Sequence, residues 1–195
     1  MIRFSPALAL LLVLSVSVRA ETATAIFAGG CFWCMESAYQ EQEGVSDVIS
    51  GFTGGELKNP TYSGNHEGHF EAIKVTYDPG VISYAQLLDL YWVNIDPFDN
   101  RGQFCDKGFS YRSALFPVDA EQARLAEASK QRVEEQFPGQ TVYTEIRPAG
   151  EFWPVEEYHQ DYYLKNPVRY KYYRWNCGRD QRLADIWGDA AKGGH

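Results

Sequence analysis

Apolar and polar residues form two kinds of pattern along the chain, one typical of strands and one typical of helices. Short apolar or alternating runs predict strands at residues 23–28, 45–52, 70–77, 111–116 and 142–147. Helical spacing predicts helices at residues 31–40, 84–93, 120–137, 154–164 and 179–188. Ser83 and Asp119 are predicted N-caps. We expect an aromatic-rich loop at residues 166–178.

Strands and helices are mixed along the chain without a strict strand–helix–strand rhythm. We therefore predict an α/β fold of the α+β type, a two-layer sandwich with a mixed, mainly antiparallel sheet. No repeat, linker or charge run divides the sequence, so residues 21–195 are expected to form a single domain. That domain should end in a long irregular C-terminal tail, residues 165–195, which carries Cys177.

The first 20 residues have the pattern of a secretory signal peptide. Arg3 supplies a short positive region, an apolar run follows, and Val18 and Ala20 fit a cleavage site after Ala20. A membrane anchor is the alternative, but the apolar run is shorter than the ~20 residues that a spanning helix needs. We therefore expect an exported protein in a periplasm-like, oxidising compartment, where disulfides persist.

Composition narrows the class of protein. A chain of 195 residues with 45% hydrophobic and 15% aromatic residues is globular rather than disordered. Its formal net charge of −8 argues against general nucleic-acid binding. Its four cysteines are too few for a disulfide-framed miniprotein, but enough for a thiol active site, one or two bridges, or a metal site.

The segment GGCFWC, residues 29–34, follows the first predicted strand. Its two glycines allow a sharp turn, so Cys31 lies at the start of the next helix. Free N–H groups and the helix dipole stabilise an anion there, which predicts a thiolate nucleophile. A buried structural cysteine is the alternative interpretation.

Cys34 follows Cys31 by three residues, a spacing that fits three chemistries. These are a thioredoxin-type dithiol, half of a zinc site, and a sulfoxide- or peroxide-reactive thiol with a partner. A zinc site needs further ligands at close spacing, whereas Cys105 and Cys177 are isolated. We therefore predict no metal, and the spacing leaves the other two chemistries open.

The rest of the chain distinguishes the dithiol chemistry from the sulfoxide- or peroxide-reactive thiol, because its motifs resemble those of a known family. The motifs GCFW, GFTGG, NPTY, GHFEA and YRSA occur in this order, and together they resemble the methionine sulfoxide reductase A family. The resemblance runs from about residue 26 to residue 116 and continues more weakly to Cys177. It implies a peptide-methionine (S)-S-oxide reductase, an enzyme class that reverses the oxidation of methionine.

The resemblance also implies roles for seven residues of this sequence. They are Cys31 as nucleophile, Glu71 as acid, Tyr62 and Tyr111 as donors to the sulfoxide oxygen, Asp106 in the same polar network, and Phe32 and Trp33 as the aromatic pair that receives the methyl group. Apart from the resemblance, Glu71 lies on a predicted strand among apolar neighbours, where burial would keep it protonated. A solvent-facing carboxylate is the alternative.

The implied cycle needs no bound cofactor. Cys31 attacks the sulfoxide sulfur while Glu71 delivers a proton, and Cys31 becomes a sulfenic acid. A second cysteine condenses with it to a disulfide, which an external thioredoxin-like dithiol reduces.

Many family members have Gly where this chain has Cys34, which leaves two schemes for the second cysteine. In the first, Cys177 matches the family's usual tail cysteine and resolves Cys31, and Cys34 or Cys105 passes the disulfide on. In the second, Cys34 resolves Cys31 directly and a Cys105–Cys177 bridge holds the tail. The positional match favours Cys177.

We therefore predict a monomeric enzyme that reduces methionine-S-sulfoxide, free or in proteins, and so repairs oxidised exported proteins. A general exported dithiol–disulfide oxidoreductase that uses Cys31 and Cys34 is the alternative. A module that only binds methionine-like side chains is the third hypothesis.

Overall fold

The structure is a computed structural model that describes residues 22–191. The predicted signal peptide at residues 1–20 lies outside these residues. Within the described part of the chain, no helix combines the length and the apolar character that crossing a bilayer requires.

One layer of the fold is a six-stranded mixed sheet. Its strands are β1 (Ala23–Gly29), β2 (Val45–Thr53), β3 (Phe70–Tyr77), β6 (Ser113–Leu115), β7 (Glu145–Ile146) and β8 (Phe152–Pro154). Their order is β7-β6-β1-β3-β2-β8, and only the β6–β7 pair is parallel among these strands. Strands β4 (Gly102–Gln103) and β5 (Asp106–Lys107) form a separate small hairpin. The predicted mixed, mainly antiparallel sheet is confirmed.

The second layer consists of helices that cover one face of the sheet. They are α1 (Phe32–Gln40), α2 (Tyr84–Trp92) and α3 (Ala120–Gln136). Phe27 of β1 packs in one buried apolar cluster with Met35 of α1 and Leu87 of α2. In β3, Ile73 and Val75 belong to the same cluster, and Glu71 has their parity, so its side chain also points toward the helices.

The predicted helix starts are confirmed by their capping contacts. The Ser83 hydroxyl accepts a hydrogen bond from the Gln86 N–H, and the Gln86 side chain accepts one from the Ser83 N–H, which forms a capping box. The Asp119 carboxylate accepts from the Gln122 N–H at the start of α3.

The predicted helix at residues 154–164 is wrong. Residues Phe152–Pro154 instead extend the sheet as β8, paired with β2. Beyond β8, the Gln160 Oε1 accepts a hydrogen bond from the Ser50 N–H at 2.8 Å, and its Nε2 donates one to the Ser50 carbonyl at 2.9 Å. The side chain thus satisfies backbone groups of β2 that a neighbouring strand would otherwise bond. Asp161 has a left-handed φ of 54°, so the helix begins only after it, as α4 (Tyr162–Lys165).

The aromatic-rich loop predicted at residues 166–178 is wrong too, because Pro167–Asn176 form helix α5. Pro167 occupies the first turn, where its fixed φ suits a helix. Tyr170 and Arg174, one turn apart, are both buried, so tertiary packing outweighs the weak helix propensity of the aromatics. Helix α6 (Arg179–Trp187) follows as predicted, and the described part of the tail is helical rather than irregular.

Two predicted strands are shorter than expected. Residues 111–116 begin with the end of a 3₁₀ turn, and only Ser113–Leu115 pair as β6. In the segment 142–147, the Tyr143 N–H donates to the Pro97 carbonyl, so pairing with β6 is confined to Glu145–Ile146.

Gly30 makes the turn from β1 to α1 possible. Its φ of +83° is in the left-handed region, and a Cβ there would lie 2.5 Å from the Cβ of Gln103. Two independent constraints therefore require glycine immediately before Cys31.

We expect Gly30→Ala to lower the free energy of unfolding by about 2–4 kcal/mol, the sum of backbone strain and overpacking. Gly139→Ala is the matched control, since its φ is +88° and a Cβ there has no heavy atom within 4 Å. That variant should lose only about 1 kcal/mol in denaturant unfolding. Equal losses for the two variants would show that the contact with Gln103 does not matter.

Candidate active site

A cavity of about 50 Å³ at the start of α1 brings together all seven residues to which the sequence motifs gave roles. Its lining is Cys31, Phe32, Trp33, Tyr62, Glu71, Asp106, Tyr111 and Tyr173. These side chains come from the start of α1, the loop before β3, β3, the β4–β5 hairpin, the 3₁₀ turn Phe109–Tyr111 and helix α5. Tyr173 is the one that the sequence analysis did not single out.

Glu71 is only 1% exposed and lies directly under the first turn of α1. Its Oε2 accepts a hydrogen bond from the Phe32 N–H at 3.2 Å, whereas its Oε1 has no partner among the described residues. Burial raises the pKa of Glu71 to about 8, although the bond from Phe32 partly opposes this effect. The Glu71 carboxyl is therefore protonated at neutral pH and has one oxygen open toward the cavity.

Two tyrosines stand beside Glu71. Burial, together with the nearby Glu71 charge, raises the pKa of Tyr62 to about 12 and raises that of Tyr111 as well. Both hydroxyls therefore keep their protons and can donate hydrogen bonds. Burial also raises the pKa of Asp106, which accepts a hydrogen bond from the Tyr173 hydroxyl.

The other wall of the cavity is aromatic. The Phe32 ring lies 6.0 Å from the Tyr62 ring and 5.6 Å from the His159 ring, measured between centroids. Trp33 stacks on Tyr162 with ring centroids 3.8 Å apart. Burial lowers the pKa of His159, so its ring is neutral and packs behind Phe32 and Trp33. Such a surface suits a methyl group on sulfur.

Cys31 and Cys34 are free, buried thiols at the start of α1. Cys31 is the N-cap residue, and its carbonyl accepts hydrogen bonds from the Cys34 and Met35 N–H groups. The neighbouring Cys31 side chain lowers the pKa of Cys34 to about 6. Burial, followed by the neighbouring Cys34 side chain, raises the pKa of Cys31. The pair therefore carries one negative charge between its two sulfurs near neutral pH.

Cys105 and Cys177 form a disulfide, with Cα atoms 4.9 Å apart. It joins the β4–β5 hairpin to the C-terminal end of α5. This is the pairing of the second scheme, in which Cys34 remains available to Cys31. Cys105, Asp106 and Cys177 are close enough to share a metal ion, but two of these three ligands are engaged in the disulfide.

Sequence reasoning missed Tyr173, Tyr162 and His159 at the site. All three belong to the segment whose secondary structure was predicted wrongly. Tyr173 precedes Cys177 by four residues, so a helical interpretation of α5 would have placed both on one face. His159 and Tyr162 flank the left-handed Asp161, and no sequence pattern indicated that turn.

The raised pKa of Glu71 predicts a specific stability profile for Glu71→Gln. The folded parent retains a proton that the unfolded chain loses, so its stability falls as pH rises from about 5 to about 8. Glu71→Gln has no proton to lose at this position. In denaturant titrations over this pH range, its free energy of unfolding relative to the parent should therefore rise by about 1.4 kcal/mol per pH unit. The exposed Glu56→Gln is the control and should follow the parent. Parallel profiles for Glu71→Gln and the parent would contradict a protonated Glu71.

Comparisons with known proteins point to a single family. Residues 23–191 match the family model described as "Peptide methionine sulfoxide reductase". The chain is 48% identical over 189 residues to Peptide methionine sulfoxide reductase MsrA 2 of Caulobacter vibrioides, covering 95% of this chain and 96% of that protein. It superposes on reduced Mxr1 of Saccharomyces cerevisiae with a TM-score of 0.70 and 30% identity, over 76% of this chain and 87% of that one.

A second structure, Mxr1 of Saccharomyces cerevisiae in complex with Trx2, matches with a TM-score of 0.53 and 22% identity, over 76% of this chain and 91% of that chain. This match shows a shared fold. The family match and the relative of 48% identity confirm the relationship that the motifs indicated. The chain belongs to the peptide methionine sulfoxide reductase family and is an oxidoreductase that reduces methionine sulfoxide.

Proposed function

We propose that this chain reduces methionine-S-sulfoxide with Cys31 as the nucleophile and Glu71 as the proton donor. One observation carries the proposal. A buried carboxyl with an unpartnered oxygen and a free cysteine at a helix start line the same small aromatic cavity. A cavity of about 50 Å³ admits a group of a few heavy atoms, the size of a methyl sulfoxide.

The first step needs a thiolate on Cys31. Cys34 lies within one helical turn of Cys31 in the same buried cluster, so transfer of the Cys31 proton to Cys34 leaves the negative charge on Cys31. The Cys31 thiolate attacks the sulfoxide sulfur while the Glu71 carboxyl protonates the sulfoxide oxygen, which forms a transient bond between the Cys31 sulfur and the substrate sulfur. The hydroxyl is then transferred to the Cys31 sulfur as this sulfur–sulfur bond and the sulfur–oxygen bond of the substrate both break. Methionine leaves, Cys31 becomes a sulfenic acid, and Glu71 is left as a carboxylate. The neutral hydroxyls of Tyr62 and Tyr111 line the cavity where that oxygen would lie.

The second step is condensation with a thiol, and the geometry favours Cys34 over Cys177. Cys34 is a free thiol in the same buried cluster as Cys31, whereas Cys177 is bonded to Cys105. The Cys34 sulfur attacks the Cys31 sulfur, a disulfide forms, and the sulfenic oxygen leaves as water with the proton from Cys34. In this scheme the Cys105–Cys177 bridge holds α5, and with it Tyr173, at the cavity.

We further propose that a thioredoxin-like dithiol reduces the Cys31–Cys34 disulfide. The Trx2 complex of yeast Mxr1 supports this partner class. The cycle itself uses only protein thiols and the Glu71 carboxyl, so no bound cofactor enters it.

A general dithiol–disulfide oxidoreductase remains the second candidate, because two cysteines in the first turn of a helix also suit disulfide exchange. That activity would not need a proton donor in the cavity. The contribution of Glu71 therefore separates the two functions.

We expect Glu71→Gln to lower the rate of methionine-S-sulfoxide reduction by about 10²–10⁴-fold, because it removes the acid. Glu36→Gln is the matched control. Glu36 is another buried carboxyl with a raised pKa, of about 7, but it does not line the cavity. The Glu36→Gln variant should change the rate only a few-fold. All rates are measured with dithiothreitol as reductant and with each sulfoxide epimer assayed separately. Equal losses in both variants, or full activity in Glu71→Gln, would contradict the proposal.

The choice between Cys34 and Cys177 is tested in single turnovers without reductant. We expect Cys34→Ser to release one equivalent of methionine and to stop at the Cys31 sulfenic acid, trapped with dimedone. A Cys105→Ser/Cys177→Ser double variant should still form the Cys31–Cys34 disulfide, identified by peptide mass. The opposite result would favour the tail cysteine.

We also propose export, on the strength of the signal-peptide pattern at residues 1–20. When the full chain is expressed in a bacterium with a periplasm, the released protein should begin at Glu21, as read from its intact mass. An unprocessed chain confined to the cytoplasm would contradict export without affecting the proposed chemistry.

A further inference from the structure

Arg179, the first residue of α6, is a buried cation with neutral partners. It is 2% exposed. Its Nη2 donates to the Asn94 carbonyl at 2.6 Å and contacts the Met35 sulfur at 3.5 Å, and its guanidinium lies 4.4 Å from the centre of the Phe104 ring. Its Nε has no hydrogen-bond partner within residues 22–191, and no carboxylate there lies within ion-pair distance.

Such an arrangement is costly unless an anion is nearby. An arginine is always charged, and a buried charge costs several kcal/mol when it is neither paired nor fully hydrogen-bonded. Arg174, which is buried in the same region, shows the ordinary solution: it pairs with Asp180 at 2.5 Å. Arg179 therefore differs from its neighbour in lacking a carboxylate partner, and its charge calls for a different anion.

The charge of Arg179 acts on two anionic groups, the Asp106 carboxylate and the thiolate of the cysteine pair. Arg179 contacts Met35, the residue after Cys34 on α1, and its positive charge is one of the causes that lower the pKa of Cys34. The titratable groups that influence the Cys34 sulfur are Cys31 on α1, Glu71 on β3, Tyr170, Tyr173 and Arg174 on α5, and Arg179 on α6. Because Arg174 pairs with Asp180 and Asp106 accepts a hydrogen bond from Tyr173, Arg179 is the cation available to the thiolate.

We propose that Arg179 is the counter-ion of the Cys34 thiolate and a positioning residue for disulfide formation. This inference rests on the proposed resolving role of Cys34. After the first step Cys34 holds a proton, and Arg179 favours its loss. The Cys34 sulfur then attacks the Cys31 sulfenic sulfur, the sulfur–sulfur bond forms, and the sulfenic oxygen leaves with that proton as water.

The Cys105–Cys177 disulfide acquires a function in this account. Phe104, which stacks on Arg179, precedes Cys105, and Arg179 follows Cys177 by two residues. The disulfide and the cation–π contact therefore join the same two segments. The bridge holds Arg179 in its buried position beside α1.

The first test measures the Cys34 pKa directly. In a Cys31→Ser background with the Cys105–Cys177 bridge intact, thiolate absorbance near 240 nm or the rate of iodoacetamide alkylation reports Cys34 alone. We expect Arg179→Met and Arg179→Gln to raise this pKa by about one unit or more, and Arg179→Lys, which keeps the charge, to raise it less. The exposed Arg169→Met removes a charge from α5 and should leave the Cys34 pKa unchanged.

The second test separates the two chemical steps in single turnovers of the enzyme with Cys31 present. In the neutral Arg179 variants, disulfide formation should slow by about tenfold near neutral pH, so the Cys31 sulfenic acid accumulates after methionine release. Raising the pH to about 9 should restore the rate, because Cys34 then ionises without help. A merely structural role for Arg179 would not give a defect that high pH repairs.

Several outcomes would overturn the proposal. The first is measured in the Cys31→Ser protein with native Arg179. If the Cys34 pKa there is at or above the usual range of a free cysteine, the proposal fails, even if the arginine variants do not fold. An unchanged Cys34 pKa in folded Arg179→Met or Arg179→Gln would overturn it as well. If the Cys34→Ser variant still forms a disulfide at Cys31 at the normal rate, Cys34 is not the resolving cysteine. That result overturns the proposed role of Cys34 itself and is distinguishable from an effect of the Arg179 variants.

Discussion

The turn between β1 and α1 sets the geometry on which the rest of the site depends. Gly30 has a left-handed φ and packs directly against Gln103, so the chain can reverse within two residues of the strand. The Phe32 N–H then faces Glu71 on β3 at 3.2 Å, and Cys31 lies at the N-cap beside it. One tight turn thus places the proposed nucleophile and a buried carboxyl together, although 40 residues separate them in sequence.

The electrostatics of the cavity follow from this crowding. Glu71, Asp106 and the Cys31 thiol line one small cavity, and the buried Cys34 thiol packs beside Cys31, so these groups cannot all be ionised. Burial keeps Glu71 neutral, and the cysteine pair holds a single charge. The result is an acid and a thiolate side by side near neutral pH, which is the pairing that reduction of a sulfoxide requires.

The first two thirds of the chain could be predicted well from sequence. Strands β1, β2 and β3 and helices α1, α2 and α3 have clear periodicity or capping residues, and the motifs GCFW, GFTGG and GHFEA lie at or within α1, β2 and β3. Residues 152–178 could not be predicted, because long-range contacts determine their structure. Gln160 bonds the backbone of Ser50, and Tyr170 and Arg174 fill space beside Cys34. The motifs therefore indicated Cys31 and Glu71 as site residues. The arginine and tyrosine side chains near Cys34 could be identified only from the folded structure.

The proposed reaction depends most directly on Glu71 being a proton donor near neutral pH. The pH dependence of methionine release in the first turnover of the reduced enzyme tests this. We predict a bell-shaped profile whose acid limb reflects the cysteine pair, with Cys34 at a pKa of about 6, and whose basic limb falls near pH 8 as Glu71 loses its proton. A rate that keeps rising through about pH 9, with no basic limb, would contradict the account.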